Sequence, residues 1–130
     1  MLNRLHITAQ AVEILADLHG ELIRRIRSAI NTWKSEVLLV GLFGSAARRD
    51  GNSSSDIDIL IVSDSQDLKE LADHLASQVT AWTGNSAQIV AINRKELKRL
   101  QQAKEPIVAN WQSELVVISG DVRILQSSSR

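Results

Sequence analysis

Apolar residues along this chain follow two patterns, one typical of amphipathic helices and one typical of buried strands. In two segments an apolar residue returns every three or four positions, which predicts helices at Thr8–Ile30 and from Leu68 to about Gly84. Short runs with almost no polar interruption predict strands instead, at Glu36–Phe43, Asp56–Val62 and Ala87–Ile92. We expect the first strand to be buried on both faces and to lie beside the second in one sheet.

Capping and turn residues divide the rest of the chain. Asn93 with Glu96 three residues later has the form of a capping box, which predicts a basic helix through about Ala103. Pro106 suits the first turn of a further helix that reaches about Ser113. After it we expect two short strands around a turn, Leu115–Ile118 and Val122–Leu125. The last residues, Gln126–Arg130, are expected to be a frayed tail.

The alternation of strands and helices is typical of an α/β (α+β) domain with a small mixed β-sheet and flanking helices. With 130 residues, no linker and no internal repeat, residues 1–130 are expected to form a single domain around one core. The composition, 44% hydrophobic and 23% charged, lies in the globular range.

Charge and cysteine content narrow the classes of function. Fifteen basic residues balance fifteen acidic ones, so the net charge does not indicate nucleic acid as a partner, although a local patch could bind it. The absence of cysteine excludes disulfides and thiolate metal sites. No apolar run approaches the ~18 residues of a membrane span and no secretory signal is visible, so we expect a cytoplasmic protein without a membrane partner.

Two carboxylates mark the start of the second predicted strand. Asp56 and Asp58 are two residues apart, so in a strand their side chains point to the same face, about 6 to 7 Å apart. Like charges at this spacing either share a proton or bind a divalent cation, and Mg²⁺ commonly takes one or two carboxylates together with water and phosphate oxygens. An exposed strand edge would explain the pair equally well if it stood alone. The neighbouring Ile57 and Ile59 point to the other face and are assigned to the core.

Gly44 and Ser45 follow directly after the first predicted strand. If a short helix begins there, its free backbone N–H groups can bind an anion, and glycine lets a phosphate oxygen approach without a Cβ in the way. The serine hydroxyl adds one more donor. Because the two strands are expected to be neighbours, this phosphate cradle and the carboxylate pair converge, and a metal-bound triphosphate fits between them.

The segment GLFGSAARRDGNSSSDIDILIV resembles the signature of the polymerase-beta-like nucleotidyltransferases, an apolar-Gly-Ser motif followed about ten residues later by Asp-x-Asp. The resemblance is close from about Val37 to Val62, and the flanking elements agree in order and length with minimal nucleotidyltransferase domains. It implies the nucleotidyltransferase fold. It also implies transfer of a nucleoside monophosphate from a nucleotide triphosphate, ATP being the expected one, to an acceptor hydroxyl, with Mg²⁺ or Mn²⁺ as cofactor.

Site residues follow from the same resemblance. Gly44 and Ser45 match the residues that hold the β- and γ-phosphates, and Arg48 matches the arginine of the loop. Asp56 and Asp58 match the metal-ligating and catalytic carboxylates. Relatives of this size often act with a protein partner, such as a HEPN-type protein of a toxin–antitoxin pair, and a homodimer is the other expectation. The acceptor, which could be protein, RNA or a small molecule, stays open.

The chain departs from the family pattern at two positions. Arg49 stands where many relatives have a second glycine. Gln88 stands nearest to the position where active relatives have a third carboxylate, and its amide can neither carry a formal charge nor take a proton at pH 7. Asp64 and Glu36 are too remote along their strands to replace that acid, and nothing positions Asp50. A catalytically impaired nucleotide-binding or antitoxin-like partner-binding module is therefore the alternative to an active enzyme.

Other polar and aromatic residues receive ordinary structural assignments. Arg48 and Arg49 could neutralise phosphate or form an ion pair with Asp50. The histidines have no ligand spacing and are expected at the surface or its boundary, namely His6, His19 and His74. The tryptophans are expected to pack in the core, namely Trp33, Trp82 and Trp111. A basic helix face is expected to be solvated, with RNA or an acidic partner as the alternative, at Arg94, Lys95, Lys98, Arg99 and Lys104.

Overall fold

The computed structural model describes residues 20–44 and 57–129, without the side chains of residues 127–129. In chain order the elements are α1 over residues 20–31, β1 Leu39–Phe43, β2 Ile57–Val62, α2 Leu68–Thr83, β3 Ala87–Ile92, α3 Arg94–Gln102, α4 Pro106–Glu114, β4 Val116–Gly120 and a 3-10 helix Val122–Ser129. Across these described ranges no helix is both long and apolar enough to cross a membrane.

The strands of the described residues form one mixed sheet in the order β3-β2-β1-β4. Strand β1 is antiparallel to both of its neighbours, whereas β2 and β3 run parallel. A parallel pair needs a crossover connection, and α2 provides it between β2 and β3. The predicted mixed sheet with flanking helices is confirmed, and so is the adjacency of the first two strands.

The sheet has an apolar cluster on each face because alternate strand residues point to opposite sides. The first cluster lies between the sheet and helices α1 and α2, and its buried members are Ile26, Ile30, Val40, Leu42, Ile57, Ile59, Ile61, Ala72, Leu75, Val79 and Ile118. The second cluster lies on the side of α3, α4 and the 3-10 helix, and its buried members are Leu39, Phe43, Leu60, Val62, Ile92, Leu97, Val108, Trp111 and Leu125. All five residues of β1 are buried, as the sequence predicted.

The helix boundaries agree with the capping signals. Helix α2 ends at Thr83, and Gly84 follows in the left-handed conformation with φ 76°. The side chain of Asn93 accepts a hydrogen bond from the backbone N–H of Glu96 at 2.8 Å, which confirms the predicted N-terminus of α3. Pro106 occupies the first turn of α4. The first predicted helix is confirmed over residues 20–30, and its earlier part lies outside the described residues.

Strand β1 begins at Leu39, three residues after the predicted start. The ladder with β2 ends where Leu39 pairs with Val62, so residues before Leu39 have little strand to pair with. The segment before Leu39 is held by a side-chain hydrogen bond, in which the Ser63 hydroxyl donates to the carbonyl of Glu36 at 2.6 Å.

The second prediction that needs correction is the strand at Val122–Leu125, where the structure has a 3-10 helix. Gly120, with φ 94°, ends β4, and the side chain of Asp121 then accepts a hydrogen bond from the backbone N–H of Arg123 at 2.9 Å. This local bond favours a turn over an extended chain. Leu125 is fully buried in the second cluster as a result. The helix includes residues up to Ser129, part of the segment expected to be a tail.

The tryptophans pack in the core, as predicted. Trp33 and Trp82 are half-buried against the first cluster, and Trp111 is fully buried in the second. The basic side chains of α3 and its C-terminal turn are exposed, as expected of a solvated face, at Arg94, Lys95, Lys98, Arg99 and Lys104. His74 lies exposed on α2, whereas His6 and His19 lie outside the described residues.

Candidate functional site

The register of β1 and β2 places the two predicted motifs side by side. Asp58 pairs with Phe43, the last residue of β1, so the carboxylate of Asp58 lies next to the residue that follows, Gly44. A Cβ built on Gly44 would stand 2.5 Å from Oδ2 of Asp58, closer than two such atoms can approach. The absence of a side chain at Gly44 therefore lets the Asp58 carboxylate lie directly against the backbone, in the space that a Cβ would need.

The backbone of Gly44 also requires glycine for a second reason. Its φ is 70°, in the left-handed region that L-residues with a Cβ adopt only at a cost of roughly 1 to 2 kcal/mol. Steric room and backbone conformation thus select glycine independently at this position. Both properties place an open backbone against a carboxylate, as a site that admits a phosphate–metal group needs.

On its other side Asp58 is paired with Gln88 of the parallel strand β3. Side chains at paired positions of neighbouring strands point to the same face, so Asp58 and Gln88 lie on the side of the second cluster, with Phe43. Asp58 is half-buried and Gln88 is exposed. The structure therefore places Gln88 beside Asp58, and its correspondence to the third carboxylate of active relatives stays a prediction.

Two aromatic rings lie beneath this end of the sheet. Phe43 packs edge-on against Trp111, with ring centroids 5.9 Å apart. The contact joins the end of β1 to helix α4 and holds it in place. Sequence reasoning assigned Trp111 to the core but gave Phe43 no role. The shared strand face of Phe43 and Asp58 is known only from the register of β1 and β2.

Three of the predicted site residues lie outside the described residues, namely Ser45, Arg48 and Asp56. Arg49 and Asp50 of the same loop lie outside them as well. Their roles stay predictions. Of the predicted set, the structure thus brings together Gly44 and Asp58 and adds Gln88 beside them.

The donors present fit a hard divalent cation. Asp58 offers carboxylate oxygens directly against the Gly44 backbone, and the Gln88 amide carries a further oxygen on the same face. Among residues 20–44 and 57–129, no group of three or more histidine, cysteine or acidic side chains could hold a metal ion. Asp56, which the sequence predicts as the second carboxylate, lies outside the described residues, so a metal site here stays a prediction.

The remote acids lie at the opposite end of the sheet. Asp64 lies two residues after the end of β2 and forms an ion pair with Arg94, with 2.5 Å between Oδ2 and Nε. Hydrogen bonds from the backbone N–H and the guanidinium of Arg94 lower the pKa of Asp64 below its usual value. Asp64, Glu36 and Arg94 line a cavity of about 320 Å³ there. These contacts confirm that neither Asp64 nor Glu36 can replace an acid beside Asp58.

Comparison with known proteins now identifies the family. The family described as "Polymerase beta, Nucleotidyltransferase" matches residues 25–113, more than half of the chain. The chain belongs to this family. The match covers both strands of the site as well as β3 with Gln88. None of the curated proteins matches the chain.

Solved structures show the same fold. One, described as a toxin-antitoxin with AMP-PNP, has a TM-score of 0.59 at 16% identity, and the alignment covers 80% of this chain and 77% of that one. The toxin-antitoxin MntA-HepT gives a TM-score of 0.54 at 15% identity, with 82% and 77% covered. A complex of the tri-AMPylated Shewanella oneidensis HEPN toxin with MNT antitoxin gives 0.52 at 15% identity, with 79% and 73% covered. The nucleotidyltransferase fold is therefore shared with proteins of toxin–antitoxin pairs.

Proposed function

We propose that this chain binds the complex of a divalent cation with a nucleotide triphosphate at the Gly44–Asp58 end of the sheet, and transfers the nucleoside monophosphate to an acceptor hydroxyl. The observation that carries the proposal is the open backbone of Gly44 directly against the Asp58 carboxylate. A phosphate cradle and a metal ligand that touch are what a metal–triphosphate complex requires. Membership of the nucleotidyltransferase family supports the same activity.

Each residue then has a definite task. Asp56 and Asp58 hold Mg²⁺ or Mn²⁺, while Gly44, Ser45 and Arg48 hold the phosphates. The bound cation supplies positive charge that stabilises the charge developing on the triphosphate. The acceptor oxygen forms a bond to the α-phosphorus as the bond from that phosphorus to the bridging oxygen of the β-phosphate breaks. Pyrophosphate leaves, and the hydroxyl proton passes to water, because the amide of Gln88 cannot accept it.

ATP and a protein acceptor are the favoured substrates. The neighbour with AMP-PNP supports an adenine nucleotide, and the complex that contains a tri-AMPylated HEPN toxin supports AMP transfer to a protein. We therefore propose a HEPN-type protein as partner and acceptor. Because the reaction consumes ATP, we place it in the cytoplasm.

A second candidate function is nucleotide binding without transfer. It is favoured by Gln88, which the register places beside Asp58 where an acid could assist the acceptor hydroxyl. General-base assistance contributes about 10²- to 10⁴-fold, so its loss leaves a slow enzyme or a binding module. Such a module would still hold its partner.

One assay separates the two functions. The full chain is incubated with α-³²P-labelled ATP and Mg²⁺, and with candidate acceptors that include the protein encoded by a neighbouring reading frame. Transfer by the wild type that is lost in Asp58→Ala, and kept in the remote control Asp64→Ala, supports the enzyme. Cation-dependent binding of ATP without transfer supports the module. Absence of such binding would overturn both.

A further inference from the structure

Strand β3 forms one edge of the sheet, and the directions of its backbone groups follow from two hydrogen bonds. Among the described residues, no strand lies beyond β3 in the order β3-β2-β1-β4. The N–H of Ile57 donates to the carbonyl of Ser86, and the N–H of Ser63 donates to the carbonyl of Ile92. Successive residues of a strand direct their N–H and C=O groups to alternate sides. The even-numbered residues from 86 to 92 therefore direct these groups to β2.

The odd-numbered residues of β3 direct their backbone groups away from the sheet, namely Ala87, Ile89 and Ala91. These outward N–H and C=O groups form no hydrogen bond within residues 20–44 and 57–129. The next residues of the same alternation bond locally instead. The N–H of Asn85 donates to the Thr83 hydroxyl at 3.0 Å. At the other end, the carbonyl of Asn93 accepts from the N–H of Leu97 at 3.0 Å. The open edge is therefore bounded on both sides.

This edge lacks the features that normally keep a strand from pairing with another chain. Exposed edges are usually protected by lysine, proline, a bulge or a very short strand. The six residues of β3, AQIVAI, include neither lysine nor proline, and their ladder with β2 has no register shift. From Thr83 to Ile92 the chain carries no charge at all. Ile89 and Val90 are only half-buried, so a strand added here gains apolar contacts as well as hydrogen bonds.

The outward residues are arranged symmetrically about Ile89, so a second copy of β3 fits them. In an antiparallel ladder, opposite residues whose backbone groups face each other exchange both N–H···O bonds. In the centred register, with Ile89 opposite Ile89, Ala87 lies opposite Ala91, and every outward N–H of both copies finds an acceptor. A register shifted by two residues sets one outward residue of each copy against Asn85 or Asn93, which are already bonded. The centred register therefore makes the most hydrogen bonds.

We propose that two copies of this chain associate through the edges of their β3 strands, antiparallel and in the centred register, to form one continuous sheet across a two-fold axis. No like charges meet in this pairing, because Arg94 at the start of α3 comes opposite the uncharged turn at Gly84. The same register places Gln88 opposite Val90 of the second copy. Since Gln88 lies beside Asp58, the two candidate sites lie on either side of the axis. The association itself is independent of the proposed transfer reaction.

Sedimentation equilibrium and hydrogen exchange of the full chain test the proposal. Between micromolar and millimolar concentration we expect the mass to rise from the 14.4 kDa of one chain towards twice that value. Exchange of individual backbone amides, followed by NMR, locates the interface. At high concentration exchange should be about tenfold slower than at low concentration for the outward N–H groups, those of Ala87, Ile89 and Ala91. The N–H groups of the even-numbered residues, which bond to β2, should be protected at both concentrations.

A proline variant tests the edge itself. Ala87→Pro removes an outward N–H and no bond of the ladder with β2, and proline is tolerated at the first residue of a strand. Each copy loses one hydrogen bond to the other, so we expect dimerisation to weaken by about tenfold to a hundredfold. Ala87→Gly is the matched control, because it also removes the alanine side chain but keeps the N–H. Its dimerisation should stay within about threefold of the wild type.

A chain that stays monomeric at millimolar concentration overturns the proposal. Slow exchange of the outward N–H groups in such a monomer would mean that the chain covers its own edge, and fast exchange would leave the edge to another protein. A dimer in which these groups exchange freely also overturns it, as does a folded Ala87→Pro that dimerises as readily as Ala87→Gly. If circular dichroism shows that Ala87→Pro does not fold, Ala91→Pro replaces it, and if neither folds the exchange of the wild type decides.

Discussion

Gly44 and Gly84 have nearly the same backbone conformation and very different surroundings. Their φ angles are 70° and 76°, so both lie in the left-handed region. A Cβ on Gly84 would meet nothing within 4 Å, whereas a Cβ on Gly44 would strike the Asp58 carboxylate. Alanine substitutions at the two glycines therefore distinguish two effects. The energetic cost of the backbone conformation applies to both, whereas a contact between the new Cβ and Asp58 arises only at Gly44.

Gly84→Ala should lower the free energy of unfolding by about 1 to 2 kcal/mol, because alanine is strained at positive φ. Gly44→Ala should lower it by more, because its Cβ also meets the Asp58 carboxylate. Only Gly44→Ala should also abolish nucleotide binding, since its Cβ occupies the space beside Asp58. Urea unfolding measures the first effect, and titration with an ATP analogue and Mn²⁺ measures the second. Unchanged nucleotide binding by Gly44→Ala would contradict the placement of the site.

Asp67 makes the free energy of unfolding depend on pH in the acidic range. Hydrogen bonds from the hydroxyls of Ser65 and Ser35 hold the pKa of Asp67 below its usual value. A carboxyl whose pKa is lower in the native than in the unfolded state stabilises the protein above the unfolded pKa of about 3.9. That contribution disappears as the pH falls through the native pKa.

We therefore expect the free energy of unfolding to decrease below about pH 4. The decrease should be smaller in Asp67→Asn, which cannot titrate. Urea unfolding between pH 6 and pH 2.5 measures both proteins. Asp73→Asn is the control, because this exposed residue of α2 has no hydrogen-bond partner within the described part of the chain. A pH profile that is the same in Asp67→Asn and the wild type would contradict the role of Asp67.

Among the helices and strands, the sequence predicted boundaries most reliably where the signal is a residue that acts on the backbone close to it in the chain. The capping box at Asn93, the proline at Pro106 and the glycine at Gly84 lie at boundaries of helices α3, α4 and α2. Each of these signals depends only on residues within three or four positions, so the local sequence is enough to predict its effect. The boundaries could accordingly be predicted to within about two residues.

Asn93 provides a test of that argument. Asn93→Ala removes the acceptor of the Glu96 N–H and should lower the free energy of unfolding by about 1 kcal/mol. Asn93→Asp keeps an acceptor oxygen and should restore most of the loss. Thermal and urea unfolding report the difference, and equal stabilities of Asn93→Ala and Asn93→Asp would show that the cap contributes nothing.

The 3-10 helix at Val122–Ser129 shows where local signals fail. Three of its first four residues are apolar, as in a short strand, namely Val122, Ile124 and Leu125. Contacts from distant elements hold it instead, because the carbonyl of Leu125 accepts hydrogen bonds at 2.7 Å from the amides of Gln101 and of Gln112. Those donors belong to α3 and α4, so the local bond between Asp121 and Arg123 accounts for only part of the conformation.

For the molecule as a whole, the sheet must be covered on both faces. Ile59 and Leu60 are adjacent in β2, both are fully buried, and they belong to the first and the second cluster respectively. A sheet with one solvated face would bury only one of them. Their burial agrees with the uninterrupted apolar run ILIV at residues 59–62, which is typical of a central strand.

Ile59→Ala and Leu60→Ala should each lower the free energy of unfolding by about 2 to 5 kcal/mol, because each leaves a cavity in a packed cluster. Ile107→Ala on α4 is the control, since this side chain is 37% exposed and the change should be small. Urea unfolding of the three variants measures the losses. A near-neutral effect of either β2 variant would show that its face of the sheet is not packed as described.

The sequence on its own was sufficient for most of the pattern of helices and strands and for the identity of the two motifs. These follow from side-chain periodicity, from capping chemistry and from the identity of the residues, all of which are local. Tertiary structure alone placed Gly44 against Asp58, paired Asp58 with Gln88 and turned the segment at Val122 into a 3-10 helix. Those outcomes depend on strand register and on hydrogen bonds between residues far apart in the chain, which become determined only when the elements pack together.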